Sequence, residues 1–338
     1  MATLDIIILF IVGLLLIIKG GDWFVDGSIW IAKKTGIPSL IIGATIVSIG
    51  TTIPEICVSV FSVIKSFGVT DPIAKQGLFE MSIGNAIGSM MCNIGVILAV
   101  VLLVRPPKTK GFSFNWKALY LTLCSTLLVI FSFLDGKLGM IEGIILLSLF
   151  CIFIIANVFE ADKHIKKYGN EISIEEKAIV DKQNPAKMIA MLVFGAAAIA
   201  LGANLLVDKG QALALIIGIP TQIIAITFVA IGTSLPELVT AITSIKKKDA
   251  NIGIGNIIGA NIINCTLLLG LASTISGSLP IDHITKTVGI FIMLTLTIIV
   301  LIPPLIKNRT YRWQGVLLLC TYLGFVTYNI IYVVQNLH

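Results

Sequence analysis

The chain has 338 residues, of which 57% are hydrophobic and only 12% charged, and its mean hydropathy is +1.01. That balance excludes the soluble globular classes and leaves a polytopic membrane protein. The formal net charge of +6 does not call for nucleic acid, because the basic residues sit in short stretches between apolar segments, where membrane topology accounts for them.

With about twenty apolar residues needed per crossing, the sequence predicts an all-α fold of ten transmembrane helices, at 3–31, 38–64, 78–103, 117–134, 139–158, 187–207, 221–245, 252–275, 284–305 and 313–334. Lys19, Asp22 and Asp26 interrupt the first span, so its inner half reads as tilted or interfacial. Spans 4, 5, 9 and 10 carry almost no internal polar groups and read as scaffold. Residues 159–186 form the one long polar stretch, with acids and bases interspersed, and read as a solvated linker between two halves, 1–158 and 187–338. Six cysteines, Cys57, Cys92, Cys124, Cys151, Cys265 and Cys320, lie in apolar segments without disulfide-framework or zinc-ligand spacing and read as packing residues. The loops after odd-numbered spans carry 18 of the 24 Lys and Arg, which puts those loops in the cytoplasm and both termini outside.

The halves are copies. Adding 182 to the first copy's numbers takes Gly20, Val25, Asp26, Gly36, Ile37, Pro38 and Glu55 onto Gly202, Val207, Asp208, Gly218, Ile219, Pro220 and Glu237. Beyond the glutamates the offset drops to 171, and Gly84-Asn85-Ala86-Ile87-Gly88 and Asn93 fall on Gly255-Asn256-Ile257-Ile258-Gly259 and Asn264. Such self-similarity marks an internal repeat. Five spans per copy is an odd number, so the second copy enters the membrane inverted, and inverted repeats with interrupted helices are a transporter signature.

Chemistry concentrates in Gly50-Thr51-Thr52-Ile53-Pro54-Glu55 and Gly232-Thr233-Ser234-Leu235-Pro236-Glu237. A carboxylate inside an apolar span costs several kcal/mol unless compensated, so each glutamate marks a functional site. The proline before it has no N–H, which leaves the carbonyls of Gly50 and Gly232 without their usual helical partner. At helical spacing Ser48, Thr51, Thr52 and Glu55 share one face, as do Ala230, Thr233, Ser234 and Glu237; Ser89 and Asn93, and Ala260 and Asn264, stand one turn apart. The set is nearly all oxygen, which suits hard cations such as Ca²⁺ or Na⁺ and argues against zinc or copper. Bland readings stand beside this one: a proline is often a simple kink, a hydroxyl often bonds its own backbone, the glycine pairs Gly84/Gly88 and Gly255/Gly259 have the spacing of close helix packing, and Asp26 and Asp208 suit interfacial roles.

These paired motifs resemble the cation/calcium antiporter superfamily, and within it the prokaryotic sodium/calcium exchangers, whose two alpha-repeats carry G-T-S-x-P-E and G-N-x-x-G-S-N type motifs. The resemblance covers roughly residues 20–104 and 202–275. It implies a central Ca²⁺ bound by the carboxylates of Glu55 and Glu237 and the carbonyls of Thr51 and Thr233. It also implies flanking Na⁺ sites that share those glutamates. One uses the Ser48 carbonyl with the hydroxyls of Thr51 and Ser89, and its mirror uses the Ala230 carbonyl with Thr233. Asn93, Asn264, Thr52 and Ser234 would support the centre, and spans 1 and 6 would slide to give alternating access. Two departures stand out: position 260 is alanine where the motif has serine, and position 264 is asparagine where many prokaryotic members have aspartate, the former costing one Na⁺ ligand and the latter matching potassium-independent exchangers. The resemblance implies an antiporter in the cell membrane, not an enzyme, with no cofactor and no partner beyond the bilayer and the ions. A proton/calcium antiporter and, more remotely, a cation channel remain as alternatives.

Overall fold

A computed structural model of the chain describes residues 3–104, 106, 112–168, 180–216, 232, 234–307 and 309–336. Their helices are α1 (Thr3–Thr35), α2 (Ser39–Ser66), α3 (Pro72–Val104), α4 (Phe112–Asp135), α5 (Met140–Tyr168), α6 (Pro185–Ile216), α7 (Leu235–Lys246), α8 (Ala250–Ser276), α9 (Thr285–Lys307) and α10 (Arg312–Asn336). Eight of the described helical stretches are long and apolar enough to cross a membrane. Nearly half of the expected seventh span, 221–245, lies outside the described residues, and the expected tenth coincides with α10, a helix of 25 residues. Helix ends often follow local chemistry beyond the apolar run. Pro72 opens α3 six residues before the expected start because Asp71 caps it, accepting from the N–H groups of Ile73 and Ala74. Helix α5 continues to Tyr168, so the first part of the expected linker is helical, with Lys166 and Asp162 paired at 2.6 Å on its exposed last turns.

Three helices widen where the motifs lie. Gly43–Val47 in α2, Asn93–Leu98 in α3 and Asn264–Leu268 in α8 each take a π-helical turn. Asn93 and Asn264, mates at offset 171, each begin one, so the repeat is written in the backbone as well as in the residues. Turns of this kind frequently mark functional positions. Pro54 sits inside α2 without breaking it. The expected interruption of the first copy is therefore a widening one turn ahead of the motif, which leaves the helix continuous.

The chain divides into two compact units. The first comprises Met1–Thr52 and Phe153–Gly259. Its axis is the antiparallel packing of α1 on α6, which glycines bring to backbone contact: a Cβ at Gly20 would lie 2.8 Å from the Gly195 carbonyl oxygen, one at Gly202 2.6 Å from that of Gly13, and one at Gly27 2.9 Å from that of Met188. Phe24, Ile42, Val47, Ile199 and Ile252 form its buried core. Val180 and Met188 bury Trp30 at the other end of the helix pair, and Lys34 pairs with Asp181 at 2.6 Å, so the described end of the linker docks on α1.

The second unit comprises Ile53–Ile152 and Ala260–His338. Gly95 admits the Tyr322 ring and Gly315 the Ala99 carbonyl, seating α10 against α3. A short antiparallel pair, β1 (Lys137–Gly139) with β2 (Ser278–Pro280), sets Leu138 opposite Leu279 and ties the α4–α5 turn to the α8–α9 turn. The apolar window of α8 is 94% buried and that of α3 72%, against 22% in α5 and in α6. The two helices that carry the G-N-x-x-G segments are thus interior, whereas apolar outer faces elsewhere, such as Leu4, Ile8, Ile11 and Leu15 on α1, are exposed as a lipid-facing surface requires.

Candidate cation site

In the first unit the Glu237 carboxylate lies at the start of α7, fully buried, beside the side chains of Thr51 and Thr52. Neither of its oxygens has a hydrogen-bond partner among the described residues, and the hydroxyls of Thr52, Ser234 and Thr240 are likewise buried and unpartnered there. Such groups are rare in a native interior and each asks for an explanation. The Thr51 hydroxyl has one proton, which it donates to Asn256 Oδ1 at 3.0 Å, with the Ser48 carbonyl next nearest at 3.3 Å. Its lone pairs stay available to a cation. Ser48 likewise donates its hydroxyl proton, across the π-turn to the Gly43 carbonyl at 2.7 Å. Gly255 and Gly259 allow α8 to approach α2 backbone to backbone, against Leu40, Gly43 and Ala44. The packing role expected for this pair is what the structure shows. Nothing described stands within 4 Å of a Cβ at Gly84, and the residues matching Leu40 and Ala44 at offset 182 lie outside the described residues.

In the second unit Glu55, Ser89, Asn93, Ala260 and Asn264 are all fully buried. Asn85 donates to the Glu55 backbone carbonyl at 3.0 Å and to Ser59 Oγ at 2.9 Å, and Ser59 in turn donates to the Ser82 carbonyl at 3.1 Å. Asn93 donates to Asn261 Oδ1 at 3.0 Å while Asn261 donates to the Met90 carbonyl at 3.0 Å. Asn93 Oδ1 and both polar atoms of Asn264 have no partner among the described residues.

Each unit therefore holds one fully buried glutamate together with buried hydroxyl and amide side chains, a donor set that fits a hard cation. Ala230 and Thr233 lie outside the described residues. Three side chains at these half-sites carry more than the sequence reading gave them: Asn85 and Asn256, visible as the asparagine of each G-N-x-x-G segment, and Asn261, whose signal is that it departs from its repeat mate Met90. Another contact was not legible: Lys247 donates to the Asp22 carbonyl at 2.7 Å and pairs with the Asp26 carboxylate at 2.7 Å, fastening the end of α7 to α1. Asp26 thus has a structural ion-pair role, and Asp208 is exposed.

Known proteins resemble the chain over nearly its whole length. A family model described as sodium/calcium exchanger protein matches residues 6–159 and 187–331. The chain is 31% identical to the sodium/calcium exchanger MaX1 of Methanosarcina acetivorans, covering 96% of this chain and 98% of that protein. It is 33% identical to the inner membrane protein YrbG of Escherichia coli over 86% of each chain. Among solved structures it is similar to the sodium-calcium exchanger NCX_Mj in crystals soaked with Na⁺ and Sr²⁺, with a TM-score of 0.80 at 28% identity over 96% of this chain and 99% of that one. With both repeats inside the matched segments, the chain belongs to the sodium/calcium exchanger family and is an integral, multi-pass membrane protein.

Proposed function

We propose that the protein exchanges Na⁺ for Ca²⁺ across the cell membrane by alternating access, on ten spans arranged as two inverted five-helix repeats with both termini outside. The observation that carries this reading is the pair of fully buried glutamates, Glu55 and Glu237, each set among oxygen donors and each in a copy of the same motif. Two carboxylates neutralise one Ca²⁺; the Thr51 and Thr233 carbonyls complete its coordination, with Asn93, Asn264, Thr52 and Ser234 in support. Sodium takes the same glutamates together with the Ser48 and Ala230 carbonyls, the hydroxyls of Thr51 and Thr233, and Ser89. Competition for shared carboxylates is what couples the two ions. Close glycine contacts between α1 and α6 support their moving as a pair.

Three Na⁺ over two carboxylates leave one positive charge where one Ca²⁺ leaves none, so exchange is electrogenic. Asn264 in place of an aspartate makes it independent of K⁺. The test is uptake of radiolabelled calcium by proteoliposomes: an outward sodium gradient drives it, a potential set with valinomycin changes its rate, and replacing K⁺ by choline in the absence of valinomycin does not. Uptake driven by a proton gradient and indifferent to sodium would transfer the protein to the proton/calcium antiporters.

A further inference from the structure

We infer that Asn261, which lies outside the ligand set above, is a positioning residue: through a three-member hydrogen-bond chain it turns the Asn93 amide so that its oxygen is the end offered to a cation. The hydrogen-bond chain starts at the Met90 carbonyl. A carbonyl can only accept, so the group that reaches it at 3.0 Å is the Asn261 NH₂, and Asn261 must then present its oxygen on the other side. That oxygen accepts from Asn93 at 3.0 Å, so it is the Asn93 NH₂ that is held there, and Asn93 Oδ1 is the end left without a partner among the described residues. The orientation of both amides follows from one backbone carbonyl. All three residues belong to one unit, and both asparagines are fully buried, so water does not compete for the chain. Among the described residues the opposite copy has no such device. Its equivalent of Asn261 is Met90, which has no amide to offer, and both ends of Asn264 are unpartnered among the described residues. The two supporting asparagines are therefore unequal: Asn93 is a fixed oxygen donor and Asn264 is free to present either end.

The inference rests on the calcium site proposed above, and the test separates the two. Calcium binding is measured on purified protein by calcium-dependent thermal shift, with wild type as the reference; wild type that does not bind calcium would remove the site itself, whatever Asn261 does. Loss of an outer partner that orients a ligand commonly weakens metal binding by roughly 10–100-fold, and Asn261→Leu is expected to fall in that range. Asn93→Asp has an oxygen at both ends and needs no orienting. In the Asn93→Asp background the same Asn261→Leu change should therefore cost less than about threefold, because only orientation is being supplied. A purely structural Asn261 would cost as much in both backgrounds, and that outcome overturns the inference, as does unchanged binding in Asn261→Leu alone. An Asn93→Asp protein that folds yet does not bind calcium overturns the donor role of Asn93 and the inference with it. Should Asn261→Leu not fold, Asn261→Ala carries the same cycle.

Discussion

The two G-N-x-x-G segments are nearly identical in sequence and sit at the same place in their repeats, yet their asparagines are bonded differently. Asn85 donates, to the Glu55 carbonyl and Ser59 Oγ, whereas Asn256 accepts from Thr51 and leaves its NH₂ without a partner among the described residues. One partner differs by substitution, since the position that is Ser59 in the first copy is Ala241 in the second, and the mate of Thr51, Thr233, lies outside the described residues. Ser89 against Ala260 and Met90 against Asn261 differ in the same manner. The repeat has thus kept its scaffold of glycines, π-turns and glutamates while its hydrogen-bond partners have diverged. Symmetry in the backbone does not entail two equal half-sites.

The glutamates are where the copies should still be equal, so they offer the strongest attempt to break the comparison. Glu55→Gln and Glu237→Gln should each abolish calcium flux on their own, since an uncompensated charge in a buried pair costs about 3–5 kcal/mol, a hundredfold or more in affinity. Near-normal flux in either one, at normal membrane abundance, would show that only the other copy holds calcium.

Next in size is the glycine contact, which tests the scaffold apart from the site. Gly195→Ala and Gly202→Ala each drive a methyl against the backbone of α1 and should lower the stability of the purified protein by roughly 1–3 kcal/mol, read as a fall in melting temperature. Equal losses would confirm that the scaffold is symmetric where the polar network is not.

The sodium dependence sharpens the difference between Ser89 and Ala260. Ala260→Ser should lower the sodium concentration for half-maximal exchange by an amount no greater than one hydrogen bond to a charged group, about 1.5–3 kcal/mol. Calcium binding without sodium should change little. No response to sodium would mean that α8 and α3 do not play equivalent roles.

Smaller again is Ser59→Ala, which makes the first copy resemble the second. Asn85 keeps its bond to the Glu55 carbonyl, so the expected loss of stability is about 1 kcal/mol. A larger loss would place Ser59 at the centre of the first network.

Much of this architecture is legible in the sequence. Long apolar runs and two fixed offsets announce the spans and the duplication, because membrane burial imposes length and composition directly on the sequence. The glutamates are equally legible, being costly where they stand. What was hidden is what depends on the partner across a helix contact. Nothing in the sequence near Asn261 says that a carbonyl of α3 lies 3.0 Å away, nor does the Lys246-Lys247-Lys248 run say which lysine reaches Asp26. Helix ends were missed where caps extended them, as Asp71 does for α3, and the π-turns leave no composition signal at all.

The contact between α1 and α6 has a meaning beyond packing. Gly13 and Gly195 are mates at offset 182, and so are Gly20 and Gly202; Gly20 meets Gly195 and Gly13 meets Gly202. The patch on one helix therefore binds its own copy on the other, which is the isologous geometry of a two-fold homodimer. A half-length ancestor bearing a single such helix would already have had a surface complementary to itself, provided two molecules entered the bilayer in opposite orientations. In that ancestor any substitution appeared on both sides at once. Separate coding of the two halves lifts that constraint, and Met90 in one copy against Asn261 in the other is the kind of inequality that a self-paired ancestor could not hold.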